Sequence, residues 1–442
     1  MTESIAREFR FGELLRFSFS SIIMMIFMSL YTIVDGFFVS RFVGTDALSA
    51  INIVYPLISV FVAVAVMFAT GGSAVVSRQM GEGDAKGAKQ NFSLIILVSL
   101  ILTAIIMVIS FCFLDPIILF LGADDSLLSY CREYLIILLL FAPFSVLQML
   151  FQSFFVTAGK PGLGLSLTIF AGAANMVLDY LFIVPFKMGI AGAAFATAIG
   201  YCIPAVGGLI FFFRNKNGLY FIRPRWRWGV IWESSFNGSS EMVTNLSASV
   251  TTLLFNIMMM KFAGADGVAA ITVVLYCQFL MVSLFMGFSI GVAPIISYHY
   301  GSGNKPYLKK LLKMCGGFTL AGSVVIFIVS FCCSTVIAAV FSPADSAVFP
   351  MVVHGMRLFS ISFLFAGINI FGSALFTALS NGKISAAISF SRTFLFTVAG
   401  ILLLSRLFGM DGLWLSIPFA EAVTVFFVLL FIRKLKTQYG IF

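Results

Sequence analysis

Arg41-Phe42-Val43-Gly44-Thr45-Asp46-Ala47-Leu48-Ser49-Ala50-Ile51 returns as Lys261-Phe262-Ala263-Gly264-Ala265-Asp266-Gly267-Val268-Ala269-Ala270-Ile271, a displacement of 220 positions (from 41 to 261). The same displacement pairs Gly71 with Gly291, Ser77 with Ser297, Gly81 with Gly301 and Gly83 with Gly303. It persists through Asp125 and Asp345, Thr157 and Thr377, Gly189 and Gly409, and Gly192 and Gly412, so insertions are few and one fold is used twice.

The fold that repeats is set by hydropathy. The 442 residues are 60% hydrophobic and 10% charged, with mean hydropathy +1.07. Apolar runs of roughly 20 residues or more recur from Leu14 to Ile432, which excludes a soluble core and fits about twelve membrane spans. A β-barrel would show alternating segments of about ten residues, whereas residues 93–113 are continuously apolar. The expectation is an all-α polytopic membrane protein with twelve transmembrane helices in two six-helix lobes, residues 1–213 and 229–442, joined by a basic linker, residues 214–228. Because each half has an even number of spans, the copies enter the membrane in the same sense. Parallel repeats of this kind suit alternating access, with two lobes rocking about a site between them.

Charge sets the orientation. The net charge of +9 is distributed at alternate span ends: Arg7, Arg10 and Arg16 before span 1, Arg78, Lys86 and Lys89 after span 2, Lys160 after span 4, and Arg214 to Arg227 after span 6. Lys305 to Lys313 follow span 8, Lys383 span 10, and Arg433, Lys434 and Lys436 span 12. Positive residues mark cytoplasmic loops, so both termini are expected inside a bacterial cytoplasmic (inner) membrane, with the lipid bilayer and not nucleic acid explaining the basic balance. No cleavable signal pattern is visible. The seven cysteines have no paired ligand spacing and read as packing residues. There is no Gly-x-x-x-x-Gly-Lys-Ser/Thr loop, and His299 and His354 stand far apart without a metal motif. No enzyme activity and no cofactor are expected.

The repeat acts as an internal control: residues that fail to repeat are candidates for chemistry. Asp35 is matched by Phe255, Asp179 by Ala399, Glu241 by Ser21 and Glu421 by Tyr201. An ionisable group in a span is costly and by default marks a pathway. At 1.5 Å per residue, Asp35 lies roughly 30 Å along span 1 and Asp179 roughly 24 Å along span 5, both in the outer half. Glu241 and Glu421 fall near the midplane. Asn175 and Asp179, spaced i, i+4, share a helix face, and Thr197 reaches a similar depth. A carboxylate, an amide and a hydroxyl at one level suit H⁺ or Na⁺ binding. The competing reading is a structural interhelical hydrogen bond or, for Glu421, pairing with Arg392.

Ile33-Val34-Asp35-Gly36 leading into the residue 41–48 motif, Gly81-Glu82-Gly83-Asp84 after span 2, and Asn175 to Ile183 followed by Met188-Gly189-Ile190-Ala191-Gly192-Ala193-Ala194 resemble the multidrug and toxic compound extrusion (MATE) family, in its MepA-like or DinF-like branches. The resemblance covers essentially the whole chain. It implies a V-shaped pair of six-helix lobes and export of drugs or organic cations coupled to inward H⁺ or Na⁺. It further implies an ion-coupling set at Asp35, Asn175, Asp179 and Thr197, with possible Na⁺ binding there. Two departures stand out: Ser20 and Ser21 replace the proline common in the first half of helix 1, and helix 10 lacks the acid of NorM-like members. Met28, Tyr31, Gln152, Glu241 and Glu421 are expected substrate contacts, and a monomer is expected. The alternative is a lipid-linked glycan flippase of the same superfamily, whose cavity would need several basic residues; only Arg357 and Arg392 are clear mid-span candidates.

Overall fold

The computed structural model describes residues 3–440, and these are helical with no strand among them. The spanning helices of the first lobe are α1 (Phe11–Phe38), α2 (Thr45–Gly81), α3 (Ala85–Cys112), the bent α4 (Asp125–Leu140 and Ala142–Thr157), α5 (Pro161–Ile183) and α6 (Gly189–Arg214). In the second lobe, α7 and α8 are the two arms of Trp228–Gly301, which reverses at Gly264 (φ 62°, ψ −148°). The helix cannot be one rod of 74 residues, because both of its ends meet Arg78: Glu233 by an ion pair and Gly301 by backbone contact. Then come α9 (Lys305–Cys332), the bent α10 (Val348–Ser360 and Phe363–Ala378), and α11, from Gly382–Phe390 through a wide turn at Ser391–Leu395 into Phe396–Trp414 as far as Gly409. The last, α12, continues beyond Gly409 through Ser416–Tyr439. Twelve crossings result among the described residues.

Local chemistry explains the repeat. The turns after α2 and α8 place Gly83 (φ 86°) and Gly303 (φ 70°) in the left-handed region. Each is followed by an N-cap, Asp84 accepting from Gly87 N–H and Asn304 from Tyr307 N–H. The bends of α4 and α10 are 54° and 53°. Pro143 opens the second segment of α4, but α10 bends as much with no proline at its break, where Ser360 bonds back to Arg357 O. α1 runs unbroken through Ser20 and Ser21 to Phe38.

The lobes meet through reciprocal backbone contacts. A Cβ at Gly81 would strike the Tyr298 backbone, and one at Gly301 the Arg78 backbone; Gly81 and Gly301 are repeat partners, and so are Arg78 and Tyr298. Likewise Gly71 lies against Gly238, while Gly291 lies against Ser18. Two of the shared glycine pairs, Gly71 with Gly291 and Gly81 with Gly301, are therefore where one lobe's helices touch the other's. These contacts lie on the face that carries both described chain ends and the basic loops. There the Arg78 guanidinium bonds Glu233 (2.6 and 3.3 Å) and Ser380 (2.7 Å) across the lobes. The first residues cross beneath: Phe9 N–H donates to the Tyr307 hydroxyl (2.7 Å), and Ile5 and Phe9 are buried.

Candidate ion and substrate site

In the first lobe, α1, α4, α5 and α6 enclose a cavity lined by Tyr31, Gln148, Thr168, Ala171, Gly172, Asn175, Thr197, Gly200 and Tyr201. It exists because helix faces here are small: a Cβ at Gly172 would run into the rings of Phe27 and Tyr31. The sequence reading placed the ion-coupling residues in the first lobe and the substrate path between the lobes; this cavity lies inside the first lobe, where glycine and alanine on α5 and α6 leave room.

Asp179 is fully buried on α5, and its carboxyl faces that of Asp35 on α1 within hydrogen-bonding reach. Asn175, one turn before Asp179, is also buried. The accounting of polar atoms is one-sided. Asp35 Oδ1, both carboxyl oxygens of Asp179, Asn175 Oδ1 and Gln148 Oε1 are shut away without a protein donor. Each is an acceptor, and no Lys or Arg forms an ion pair with either acid among the described residues. Buried acceptors without donors are unfavourable, and two facing carboxylates more so. A proton shared between the acids, or a small cation among the oxygens, relieves both penalties.

Of the four expected residues, Asn175 and Thr197 line the cavity, while Asp35 and Asp179 face each other and are not among its lining residues; Asp179 lies one turn beyond Asn175 on α5. Three substrate candidates adjoin the cavity. Tyr31 lines it, and Gln152 Nε2 points to Met28 Sδ (3.3 Å) and to Thr168 Oγ1 (3.4 Å). Gln148, Tyr55, Tyr134 and Tyr201 were not singled out from the sequence. The Gln148 amide faces the Tyr31 hydroxyl, and Tyr134 and Tyr201 sit within electrostatic range of Asp35. Tyr55 neighbours Tyr201. The signal that would have found Tyr201 is its repeat partner, Glu421, a position polar in both halves.

The other two acids lie in the second lobe, around one guanidinium. Arg392 Nε donates to Glu421 Oε1 (2.8 Å), while Asn369 Nδ2 donates to Glu421 Oε2 (2.6 Å) and to the Glu421 carbonyl (2.8 Å). Glu421 is buried with both oxygens satisfied, so the structural alternative describes it in this conformation. Glu241 lies within electrostatic range of the same arginine and keeps partial exposure. The cluster carries one negative charge in excess. Among the described residues no group of three or more His, Cys, Asp or Glu is arranged around a common metal position.

The chain is similar to the multidrug export protein MepA of Staphylococcus haemolyticus (26% identity, covering 97% of this chain and 94% of the relative). It is also similar to MepA of Staphylococcus saprophyticus subsp. saprophyticus (24% identity, 97% and 94%). Among solved structures it resembles MATE in complex with MaL6 (TM-score 0.93, 19% identity, 99% of each chain). It likewise resembles the outward-facing conformation of a multidrug resistance MATE family transporter of the MOP superfamily (TM-score 0.92, 20% identity, 98% and 97%). The family model described as MatE matches residues 20–181 and again 242–402, once in each lobe. The chain belongs to the MatE family of membrane transporters.

Proposed function

We propose that the protein is a multidrug efflux antiporter that exports drugs or organic cations in exchange for H⁺ or Na⁺, by alternating access across a bacterial cytoplasmic membrane. The basic face, with both termini, is inside. The observation that carries this reading is the set of unpartnered acceptor oxygens around Asp35 and Asp179. An internal salt bridge would need a resident cation; these acids have none among the described residues, so an exogenous ion completes them. The MepA relatives support the substrate class.

The cycle follows from differential binding. Ion-free, the facing carboxylates repel and favour a packing of α1 and α5 that separates them. Ion-bound, they can close. An ion moves the lobes only by the difference in its affinity for the two states. The lobe contacts at the basic face, with the Arg78–Glu233 clamp, hold that side closed in this conformation, and opening it would require breaking them. Glu241, the excess charge of the second lobe, attracts the cationic part of the substrate.

The deciding experiment is transport in proteoliposomes with pH and Na⁺ gradients imposed independently. Efflux of a cationic dye driven by one gradient, and lost in Asp35→Asn, is expected. Near-normal gradient-driven efflux by Asp35→Asn would remove the acid pair from the mechanism. The flippase reading is disfavoured by its two candidate cations, since Arg392 is bound to Glu421 and Arg357 Nε to Ser334 Oγ (3.2 Å). Translocation of a labelled glycan lipid with no dye efflux would restore it.

A further inference from the structure

Three of the four tryptophans stand together where the linker enters α7. Trp226 and Trp228 touch at 5.2 Å, and Trp232 stacks on Phe236 at 6.3 Å. Trp228 and Trp232 are 72% and 73% exposed, and Trp226 is also exposed. Residues 228, 232 and 236 follow i, i+4, i+8, so the rings form one stripe about 12 Å long down the helix. At its head the chain reads Arg223-Pro224-Arg225-Trp226-Arg227, with Arg223 and Arg225 exposed. None of the three arginines has an ion pair among the described residues, and the neighbouring acid, Glu233, is held by Arg78.

The segment is held in place. Ile222 N–H donates to Ser93 Oγ (3.1 Å), Leu219 is buried, and Lys89 Nζ lies 4.0 Å over the Tyr220 ring. The patch is absent from the first lobe, where the repeat partners of Trp226, Trp228 and Trp232 are Ala6, Glu8 and Gly12. Positive charge at one end and an exposed aromatic ladder running toward the hydrocarbon match one occupant by polarity and length: a phospholipid with an anionic headgroup. Indole rings favour the level where headgroup meets acyl chain, and arginine forks favour phosphate.

We propose that this face is a binding site for an anionic phospholipid, with the phosphate on Arg223, Arg225 and Arg227 and the acyl chains along Trp228, Trp232 and Phe236. The lipid would seat the start of α7, where Trp228 lies five residues before the clamp residue Glu233 and ten before the lobe contact at Gly238.

The test is lipid-selective quenching of tryptophan fluorescence in the full protein, reconstituted in vesicles with acyl-brominated phosphatidylglycerol or, separately, acyl-brominated phosphatidylcholine. Trp414 is fully buried, and a variant with Trp226, Trp228 and Trp232 all changed to Phe gives its background. One basic group near an anionic surface is worth roughly fivefold in association. The expected result is preference for phosphatidylglycerol by roughly fivefold or more. It should weaken with salt and fall toward parity in Arg223→Gln/Arg225→Gln/Arg227→Gln. Equal quenching by the two lipids, or an unchanged preference in that variant, overturns the site. Weak quenching by both lipids that strengthens on dilution would show that a second copy covers the face, and would also overturn it. Transport is not part of the readout, so failure here leaves the antiporter reading untouched.

Discussion

The two lobes solve the same packing position in opposite ways. On α5, Gly172 leaves space into which Phe27 and Tyr31 pack; its repeat partner on α11 is Arg392, facing a second lobe in which Tyr31 has become Thr251. On α6, Tyr201 lines the chamber; its partner on α12 is Glu421, which takes the charge of Arg392. In the second lobe the acid has its counter-ion built in. In the first, Asp35 and Asp179 face each other with acceptor oxygens unmet. A charge that is neutralised inside the protein holds structure, whereas one left unneutralised is open to an ion that comes and goes.

The strongest way to break this contrast is to neutralise each side in turn. Asp35→Asn is expected to reduce gradient-driven efflux to the level of empty liposomes, while the melting temperature in detergent stays at or above that of the wild type, because a carboxylate conflict is removed. A clear loss of thermal stability with efflux retained would make Asp35 a structural residue of the same kind as Glu421. Next in size is Arg392→Gln, which strands Glu421 without its cation. Breaking a buried pair from one side costs about 3–5 kcal/mol. The melting temperature should fall sharply and recover in large part in Arg392→Gln/Glu421→Gln. If the double variant melts no higher than the single one, Glu421 is not the partner whose charge matters.

Smaller effects sharpen the picture. Glu241→Gln removes the excess negative charge of the second lobe and should weaken binding of a cationic dye several-fold in equilibrium titrations, leaving a neutral analogue unaffected. Equal losses for both ligands would make Glu241 a packing residue. Glu233→Gln cuts the clamp at the basic face. A partly exposed pair contributes about 1 kcal/mol or less, a few-fold in population. Spin labels on the inner ends of α2 and α7 should show a modestly larger fraction of separated lobes, and raised salt should have the same effect on the wild type. No change in either would leave the reciprocal glycine contacts as what closes that face.

Much of this was legible in the sequence, for identifiable reasons. Apolar runs reveal spans because hydrocarbon admits few alternatives to a helix. The 220-residue displacement revealed the lobes, and two of the glycine pairs it matched, Gly71 with Gly291 and Gly81 with Gly301, are contact points between them, since close backbone approach tolerates no side chain. Asp35, Asn175, Asp179 and Thr197 were legible because charge is rare in spans and helix geometry sets depth. Gln148 and Tyr134 were not: a polar side chain buried inside the bundle and one facing lipid have the same periodicity, and only the packed bundle separates them. The bend of α10 was equally hidden, since its break has no proline, whereas that of α4 has Pro143. The first lobe was named from the sequence, but the cavity's wall, with Gln148 of α4 beside Tyr31 of α1, depended on which helices pack together, which spacing along one chain does not encode.

The reciprocal contacts of Gly81 with Tyr298 and of Gly301 with Arg78 have a historical reading. A surface that touches its own copy in this way is the isologous interface of a twofold dimer. The chain therefore preserves, in covalent form, the geometry of two six-helix subunits, and duplication of an even-spanned ancestor reproduces it with no inversion in the membrane. Fusion made their pairing independent of concentration. A covalent pair need not match position for position, and the halves differ where their charges lie: Asp35 and Asp179 in one, Arg392 and Glu421 in the other.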